Sequence, residues 1–413
     1  VPPNYEDGQN VLLIPPIVQL NAHKHAMLVA CVDVDGGRRS DGQGEVPLLR
    51  GQDQEEWQDD RREAALEMPH LRGNVRPWED ASAKTLDGFL TWLLSGERQS
   101  DLPGGGRTFR RRTSRFWDIW PLPPLVDEVF DVVYVDGIWV ARDIVVLIAC
   151  TDEHVLGWYV ARSENSRAWS ALLARIAPPG VVVSDGGSGF AKAARRMWPT
   201  TRVQRCTFHA FCQVRRYTTS RPKLRAGVEL YDLACRLLHV ASSEQAAAWM
   251  VSYASWCSRW SAFLAERTRD ERGRLAYTHE RLVRARSSLT TLVRQGTLFT
   301  YVDPGLTGVL GPLPATNNRI EGGVNAQLRR MLRDHRGLST TRRIKAVYWW
   351  CYLHTECPLP AAQILKVMPT DDQIARAYRN ITYGQRSEEP MEWGDGLVWQ
   401  DLHQSVPWRS DWD

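Results

Sequence analysis

One stretch constrains this chain more than any other: VVVSDGGSGFAKAARRMWPTTRVQRCTFH, residues 181–209. Val181, Val182 and Val183 are β-branched and apolar, the signal of a short buried strand. Ser184 and Asp185 follow at its end, then Gly186, Gly187 and Gly189, then an apolar and basic helical pattern from Phe190 to Met197. A carboxylate at the C-terminal edge of a buried strand, ahead of a glycine-rich turn, stands where α/β sheets place their chemistry. The turn lets backbone and substrate approach closely. A second apolar run, Val132 to Val135, ends the same way in Asp136 and Gly137. Two strands thus each deliver one aspartate beside a glycine. Either aspartate alone reads as well as a turn residue, so the rest of the chain must decide.

The chain has 413 residues, enough for about two to three domains with cores of their own. Its 43% hydrophobic and 24% charged residues fit a soluble globular protein. The formal net charge is only +4, but the charge is uneven. Arg107, Arg110, Arg111, Arg112 and Arg115 cluster with no acid among them, and so do Arg215, Arg216, Arg221, Lys223 and Arg225. The tail after Arg386 is instead acid-rich and carries Trp393, Trp399, Trp408 and Trp412. Basic clusters point to an anionic partner such as nucleic acid, the bland alternative being a solvated face. No apolar run reaches membrane-spanning length and no signal peptide is evident. Eight scattered cysteines suit a reducing cytoplasm better than a disulfide framework.

Residues 1–76 read as an irregular N-terminus rather than a domain. When Arg62 to Val75 (REAALEMPHLRGNV) is reverse-translated with permitted codons and shifted by one base, GKQRWRCPTCGATS emerges. The same shift over Val46 to Gly51 permits CRSCG. The shifted cysteines begin in the codons of Val46, Leu49, Met68 and Leu71, two CxxC pairs with an 18-residue spacer. That is zinc-ribbon spacing, and the segment is expected to be a frameshifted ribbon that no longer carries its metal site. The gene's codons at these four positions test the idea, and any codon that forbids a shifted cysteine ends it.

From residue 77 the pattern improves. Leu86, Phe89, Leu90, Trp92, Leu93 and Leu94 make an apolar helical face, and Ser95-Gly96 breaks it. Gln99 to Leu102 reads as a short second helix. Gly104, Gly105 and Gly106 punctuate, and Thr108 to Trp117 reads as an arginine-rich third helix. Residues 77–120 therefore have the outline of a helix-turn-helix whose third helix would lie in a DNA groove. The alternative is a small helical bundle with a solvated basic face. Pro121, Pro123 and Pro124 form a stiff linker.

Beyond the linker, Val129 to Val135, Ile144 to Cys150 and Val155 to Val160 are three apolar runs with short connections, an antiparallel meander. Asn165 to Ile176 is helical, Val181 to Val183 is a fourth strand, Lys192 to Trp198 lies in a helix, and Val203 to Cys206 is a fifth strand. Three strands, helix, strand, helix, strand is the order of a ribonuclease-H-like fold. Residues 223–300 instead repeat Leu230, Leu233, Leu237, Trp249, Tyr253, Trp256 and Trp260 at helical spacing, so an α-helical insertion is expected over 216–312, with its tryptophans in the core. The fold class is α/β: a mixed sheet with flanking helices over 127–215 and 313–370, interrupted by the insertion and followed by a tail, 371–413.

Residues 316–338, TNNRIEGGVNAQLRRMLRDHRGL, carry the third acid. Ile320, Val324, Leu328 and Met331 define an apolar stripe, and Glu321 sits beside it near the helix start, with Asn317 and Asn318 as capping candidates. Alone, Glu321 is explained by the helix dipole.

Taken together, VDG at 135–137, SDGGSGF at 184–190, CTFH at 206–209 and NNRIEGGVNAQLR at 317–329 resemble the Mutator-like DDE transposases of bacterial insertion sequences. The resemblance covers roughly residues 84–370. It implies that Asp136, Asp185 and Glu321 form a catalytic, metal-binding triad, and that Cys206 and His209 are the C-x-x-H signature after the second aspartate. It also implies an insertion domain between Asp185 and Glu321 and a zinc ribbon at the N-terminus, which this chain lacks. The expected partner is double-stranded DNA, both element ends and target, bound by Arg107, Arg110, Arg111, Arg112, Arg115, Arg329, Arg330 and Arg333. A homodimer in the cytoplasm, on the nucleoid, is the expected setting.

The chemistry explains the residue types. Two divalent ions about 4 Å apart can activate water and stabilise a leaving oxygen on a phosphodiester. Magnesium, or manganese, takes hard oxygen ligands, so a few carboxylates suffice. Asp136 would bridge the ions, with Asp185 and Glu321 holding one each. A second C-x-x-H, Cys351 and His354, could complete a Cys2His2 zinc site with Cys206 and His209 if the two segments meet; otherwise these are a buried thiol and a hydrogen-bonded histidine. The competing readings are a DNA-binding remnant that represses its own element without catalysis, and a ribonuclease-H-like nuclease without strand transfer.

Overall fold

A computed structural model describes residues 75–269 and 273–376. The ribbon reading of residues 46–71 and the tryptophans of the tail lie outside the described residues. The first helix, α1 (Val75–Leu94), is followed by 3-10 turns at Gln99–Asp101 and Pro103–Gly106, then by α2 (Arg107–Thr113) and a further 3-10 turn, Ser114–Asp118. The second helix expected at 99–102 is thus a single tight turn. Gly104, Gly105 and Gly106 all take left-handed φ, at 64°, 60° and 70°, which no helix can continue through. The predicted third helix is α2 plus a tightened last turn. Phe89 is buried against Phe116 and Trp117, at centroid distances of 5.7 and 5.0 Å. This segment shares its core with the C-terminal half: Trp92 lies 4.4 Å from the His335 ring, and His335 Nε2 is 3.0 Å from the Leu93 carbonyl.

The three apolar runs form β1 (Val132–Ala141), β2 (Ile144–Cys150) and β3 (Val155–Ala161). Then come α3 (Ser166–Leu173), β4 (Val181–Ser184), α4 (Ser188–Met197) and β5 (Arg202–Arg205). Asn165 caps α3 by accepting from the backbone N–H groups of Arg167 and Ala168. The strands make one sheet in the order β3-β2-β1-β4-β5. β1, β2 and β3 are antiparallel neighbours; β1, β4 and β5 run parallel. Every residue of β2, β3 and β4 is buried, which is why these strands read as unbroken apolar runs rather than alternating ones. Val133, Val135, Leu147, Trp169, Leu172 and Phe190 fill one face of the sheet, under α3 and α4. Tyr134, Ile138, Ile148 and Trp158 face the other way, into the core that holds α1 and the C-terminal helices. The result is three layers, helices covering both faces of one sheet.

After β5 the chain runs through α5 (Thr207–Thr218), α6 (Arg225–Leu237), α7 (Ser243–Arg259), α8 (Ser261–Ala265), a small antiparallel hairpin of β6 (Arg267–Arg269) and β7 (Leu275–Tyr277), and α9 (Glu280–Gln295). The hairpin is a departure from the expected all-helical block. Its short, largely exposed strands carry no apolar run that could have announced it. Trp249, Tyr253 and Trp256 stack in succession inside the block, and the two indoles donate to the Leu233 and Ala226 carbonyls. The chain then returns to the sheet. Arg205 N–H donates to the Thr297 carbonyl, and Gln204 donates to Leu298 and accepts from Tyr301 N–H, so residues 297–301 cover the free edge of β5. Helix α10 (Pro304–Leu310), a π-helical turn at Arg319–Val324, α11 (Asn325–Asp334), α12 (Thr340–Leu353) and α13 (Ala361–Val367) complete the described chain. Helix α12 is buried from Ile344 to Tyr352, which suits a helix wedged between the sheet and α1.

Candidate active site

β1 does not stop before Asp136, as the sequence led one to expect. It runs on through Gly137 to Ala141, paired with β2 throughout: Asp136 lies opposite Ile148. What stops is its other neighbour. The β1–β4 pairing ends at Tyr134 opposite Val183, and β4 itself ends at Ser184. Asp136 therefore stands in mid-strand at the lip of a crevice that opens where β4 runs out, with Asp185 at the opposite lip. This is the carboxyl end of the parallel strands, the place where such sheets bind ligands.

Each carboxyl is held. Asp136 accepts from Gly137 N–H at 2.9 Å and from Asn325 Nδ2 at 2.7 Å. Asp185 accepts from Gly187 N–H at 3.1 Å. Glu321 lies in the π-helical turn at the start of α11, a backbone irregularity common at functional sites. Asn317 and Asn318 do not cap this helix with their side chains. Asn317 is fully buried, its backbone N–H meets Cys206 Sγ at 3.3 Å, and its Nδ2 donates to the Val135 carbonyl at 3.0 Å. It thereby fastens the Glu321 turn to β1 one residue before Asp136.

The electrostatics report a shared pocket. Burial, joined by the charges of Asp185, Glu321 and Glu164, pushes the Asp136 carboxyl up to about 7 against the Gly137 hydrogen bond. Burial also raises Glu321, with His209 opposing and Asp185 adding to the shift. The three acids predicted from sequence thus feel one another's charge, but they are not drawn together to ligand spacing. Among the described residues, the group whose ligand atoms all lie within 4.8 Å is Cys206, His209 and Glu321. His209 Nδ1 sits 3.3 Å from Glu321 Oε1, in ion-pair reach. The neighbouring Cys206 thiol is the main cause that raises His209. Burial acts to raise Cys206 itself, but the His209 and Asn317 contacts outweigh it and bring the thiol down. Glu321 thus has His209 as its near partner, and the charge of Asp185 still acts on it.

The possible Cys2His2 zinc site is not assembled among the described residues. Cys351 and His354 are absent from that group. Cys351 is fully buried on α12 in the core beside Cys150, and its thiol is pushed well up by burial. The His354 ring stacks on Trp350 at 3.7 Å, with Nδ1 2.7 Å from the Trp350 carbonyl. Local C-x-x-H spacing says nothing about which segments meet, and here the two belong to different layers. The carboxyl oxygens of Asp136, Asp185 and Glu321 suit a hard cation; Cys206 and His209 would suit a softer one.

Three residues of the site were not singled out from sequence, and a fourth was given another role. Asn325 was readable in principle, being four residues after Glu321 on one helical face. Glu164 had no local signal; a Cβ on Gly137 would come within 2.8 Å of its Oε1, so it lies against β1 beside Asp136. Asn317 was read as a cap, and Arg205 was passed over. Of the candidate DNA-binding residues, Arg107, Arg110, Arg111, Arg112 and Arg115 are exposed on α2 and the turn after it, and Arg329, Arg330 and Arg333 are exposed on α11.

Among the described residues no helix is long and apolar enough to cross a membrane. A comparison with curated proteins found no match to the chain. A family model described as Transposase, Mutator family matches residues 125–270, a segment that contains Asp136, Asp185, Cys206 and His209 and ends before Glu321, so this part of the chain is similar to the Mutator-family transposases.

Proposed function

We propose that the chain is a DNA transposase that cleaves and joins phosphodiesters at the ends of its own element, with Asp136, Asp185 and Glu321 as its catalytic acids. One observation carries this reading. Glu321 lies outside the family match, beyond a whole helical block, yet its carboxyl reaches His209 and the field of Asp185. The strand order, three antiparallel then two parallel, supports a ribonuclease-H-like core. The exposed arginines of α2 support a helix-turn-helix-like role in holding DNA, although the middle helix is reduced to a turn.

The donor chemistry fits magnesium or manganese, held by Asp136, Asp185 and Glu321. When bound, such ions supply an activated water or 3′-hydroxyl nucleophile and neutralise charge on the leaving oxygen. The protein's own groups prepare the place. Asn325 and Gly137 N–H fix the two oxygens of Asp136, and Gly187 N–H fixes Asp185. A buried carboxyl pushed up to about 7 favours a proton until a compensating positive charge arrives. The exposed arginines that follow Glu321 on α11 would suit contacts to a DNA backbone.

Purified full-length protein, Mg²⁺ and a duplex copied from inverted repeats flanking the gene test the reading. Strand cleavage at the repeat end and joining of the new 3′-hydroxyl to a second duplex are expected; a duplex left intact in both Mg²⁺ and Mn²⁺ rules the reading out. In the same assay, Asn325→Ala is expected to slow cleavage by roughly 10- to 100-fold, as loss of a partner that orients a metal-binding group commonly does. An Asn325→Ala rate equal to wild type would remove that residue from the site.

A further inference from the structure

Arg205 ends β5 directly before Cys206, and its guanidinium lies across Gly186, the residue after Asp185. A Cβ on Gly186 would come within 2.5 Å of Arg205 Nε and 2.6 Å of Cζ, and Gly186 takes φ +84°. Only glycine leaves this cradle open. Arg205 is 9% exposed, and its Nη1 is fully buried without a hydrogen-bond partner among the described residues. Burial opposes its charge, and the fields of Asp185, Cys206 and Glu321 sustain it. The contrast with Lys345 is informative. That buried cation has a carboxylate, a carbonyl and an indole ring around it. A guanidinium kept in the interior with an orphaned donor, next to a crevice lined by acids, is costly unless something later fills the vacancy in its bonding.

The filler must be anionic and must share the crevice with three carboxyls. A phosphodiester meets both conditions, and the planar fork of a guanidinium matches two phosphate oxygens better than a point charge does. We propose that Arg205 binds a non-bridging oxygen of the phosphodiester that enters the Asp136–Asp185–Glu321 crevice, a substrate contact that rests on the transposase reading above. There it offsets charge on the phosphoryl oxygens as the nucleophile attacks, using a donor already in place.

A mere counter-ion to Asp185 and Glu321 would act regardless of the charge on the DNA, and this separates the two roles. The test measures binding of the repeat-end duplex in Ca²⁺, either natural or carrying one neutral methylphosphonate at the phosphate that the wild type cuts. Wild type is expected to bind the methylphosphonate duplex about tenfold more weakly. Arg205→Gln is expected to show that same loss on the natural duplex and no further loss on the methylphosphonate one, with Arg205→Lys in between. An Arg205→Gln protein that still distinguishes the two duplexes tenfold overturns the proposal. If Arg205→Gln melts early, Arg205→Lys decides: it must keep the wild-type melting temperature and discriminate the duplexes less than wild type, and full discrimination by it overturns the proposal. A wild type that leaves the natural duplex uncut in Mg²⁺ overturns the transposase reading itself, whereas one that cuts while the variants discriminate normally removes Arg205 alone.

Discussion

Asp136→Asn is expected to abolish strand cleavage and joining, by at least about 10³-fold or roughly 4 kcal/mol of transition-state stabilisation, while DNA binding persists. The same substitution is expected to raise stability. The Asp136 carboxyl is pushed up to about 7 in the folded protein, above the usual carboxylate range of the unfolded chain. Between about pH 4 and 7 the folded state therefore holds a proton that the unfolded state has lost. Stability attributable to this group falls as pH rises through that window, and the penalty is complete by pH 8. Asparagine carries no charge and escapes it. In metal-free buffer at pH 8, Asp136→Asn should melt a few °C above wild type, with the gap closing toward pH 4. Mg²⁺ should then raise the wild-type melting temperature and leave the variant unmoved. Equal Mg²⁺ stabilisation of both proteins, or turnover by the variant, would sink the assignment. Asp185→Ala and Glu321→Ala are expected to lose cleavage likewise. Glu321→Ala matters most, because Glu321 stands outside the segment that the family model covers.

Much of this site was legible in the chain, and the reasons for the rest are physical. Fully buried strands write themselves as apolar runs, so β2, β3 and β4 were readable from composition alone. The end of β1 was not. Asp136-Gly137 reads as a turn, but β2 carries hydrogen-bond partners past it, and no local pattern in β1 reports how long its neighbour is. Glu321 was found by motif and not by physics. Its position is set by Asn317, which bridges to Val135 across a long sequence separation, and such a contact has no periodicity. The zinc alternative failed for the same reason. Two C-x-x-H segments share a spacing but lie in different layers of the fold. Arg205 went unnoticed because its importance lies in what it lacks, and a missing hydrogen bond leaves no trace in a sequence.

Lys345→Met is expected to cost about 3–5 kcal/mol of stability, the loss typical of one partner removed from a buried ion pair. Lys345 is 1% exposed on α12. Its Nζ lies 2.6 Å from Asp371 Oδ1, donates to the Trp117 carbonyl, and sits 4.6 Å from the Trp120 ring centroid. Trp120 Nε1 donates to the same Asp371 oxygen at 2.6 Å. Three segments distant in sequence thus meet at one ammonium. Without it, Asp371 keeps the Trp120 indole but loses the ammonium, and Asp118, whose carboxyl is raised by burial and by Asp371, loses one of the two cations that oppose that rise, Arg342 being the other. Asp371→Asn should cost less, since the amide oxygen still accepts from both donors. The double variant should lose less than the sum of the singles, because Lys345→Met does its harm largely through the acid it strands. Urea unfolding of the four proteins measures this coupling; a Lys345→Met cost under about 1 kcal/mol, or strict additivity, would show that the contact is incidental. The consequence reaches function. Trp117 directly follows the arginine-bearing segment, so loosening its anchor should weaken binding to any DNA sequence while leaving the chemistry per bound duplex intact, the opposite of what Asp136→Asn does.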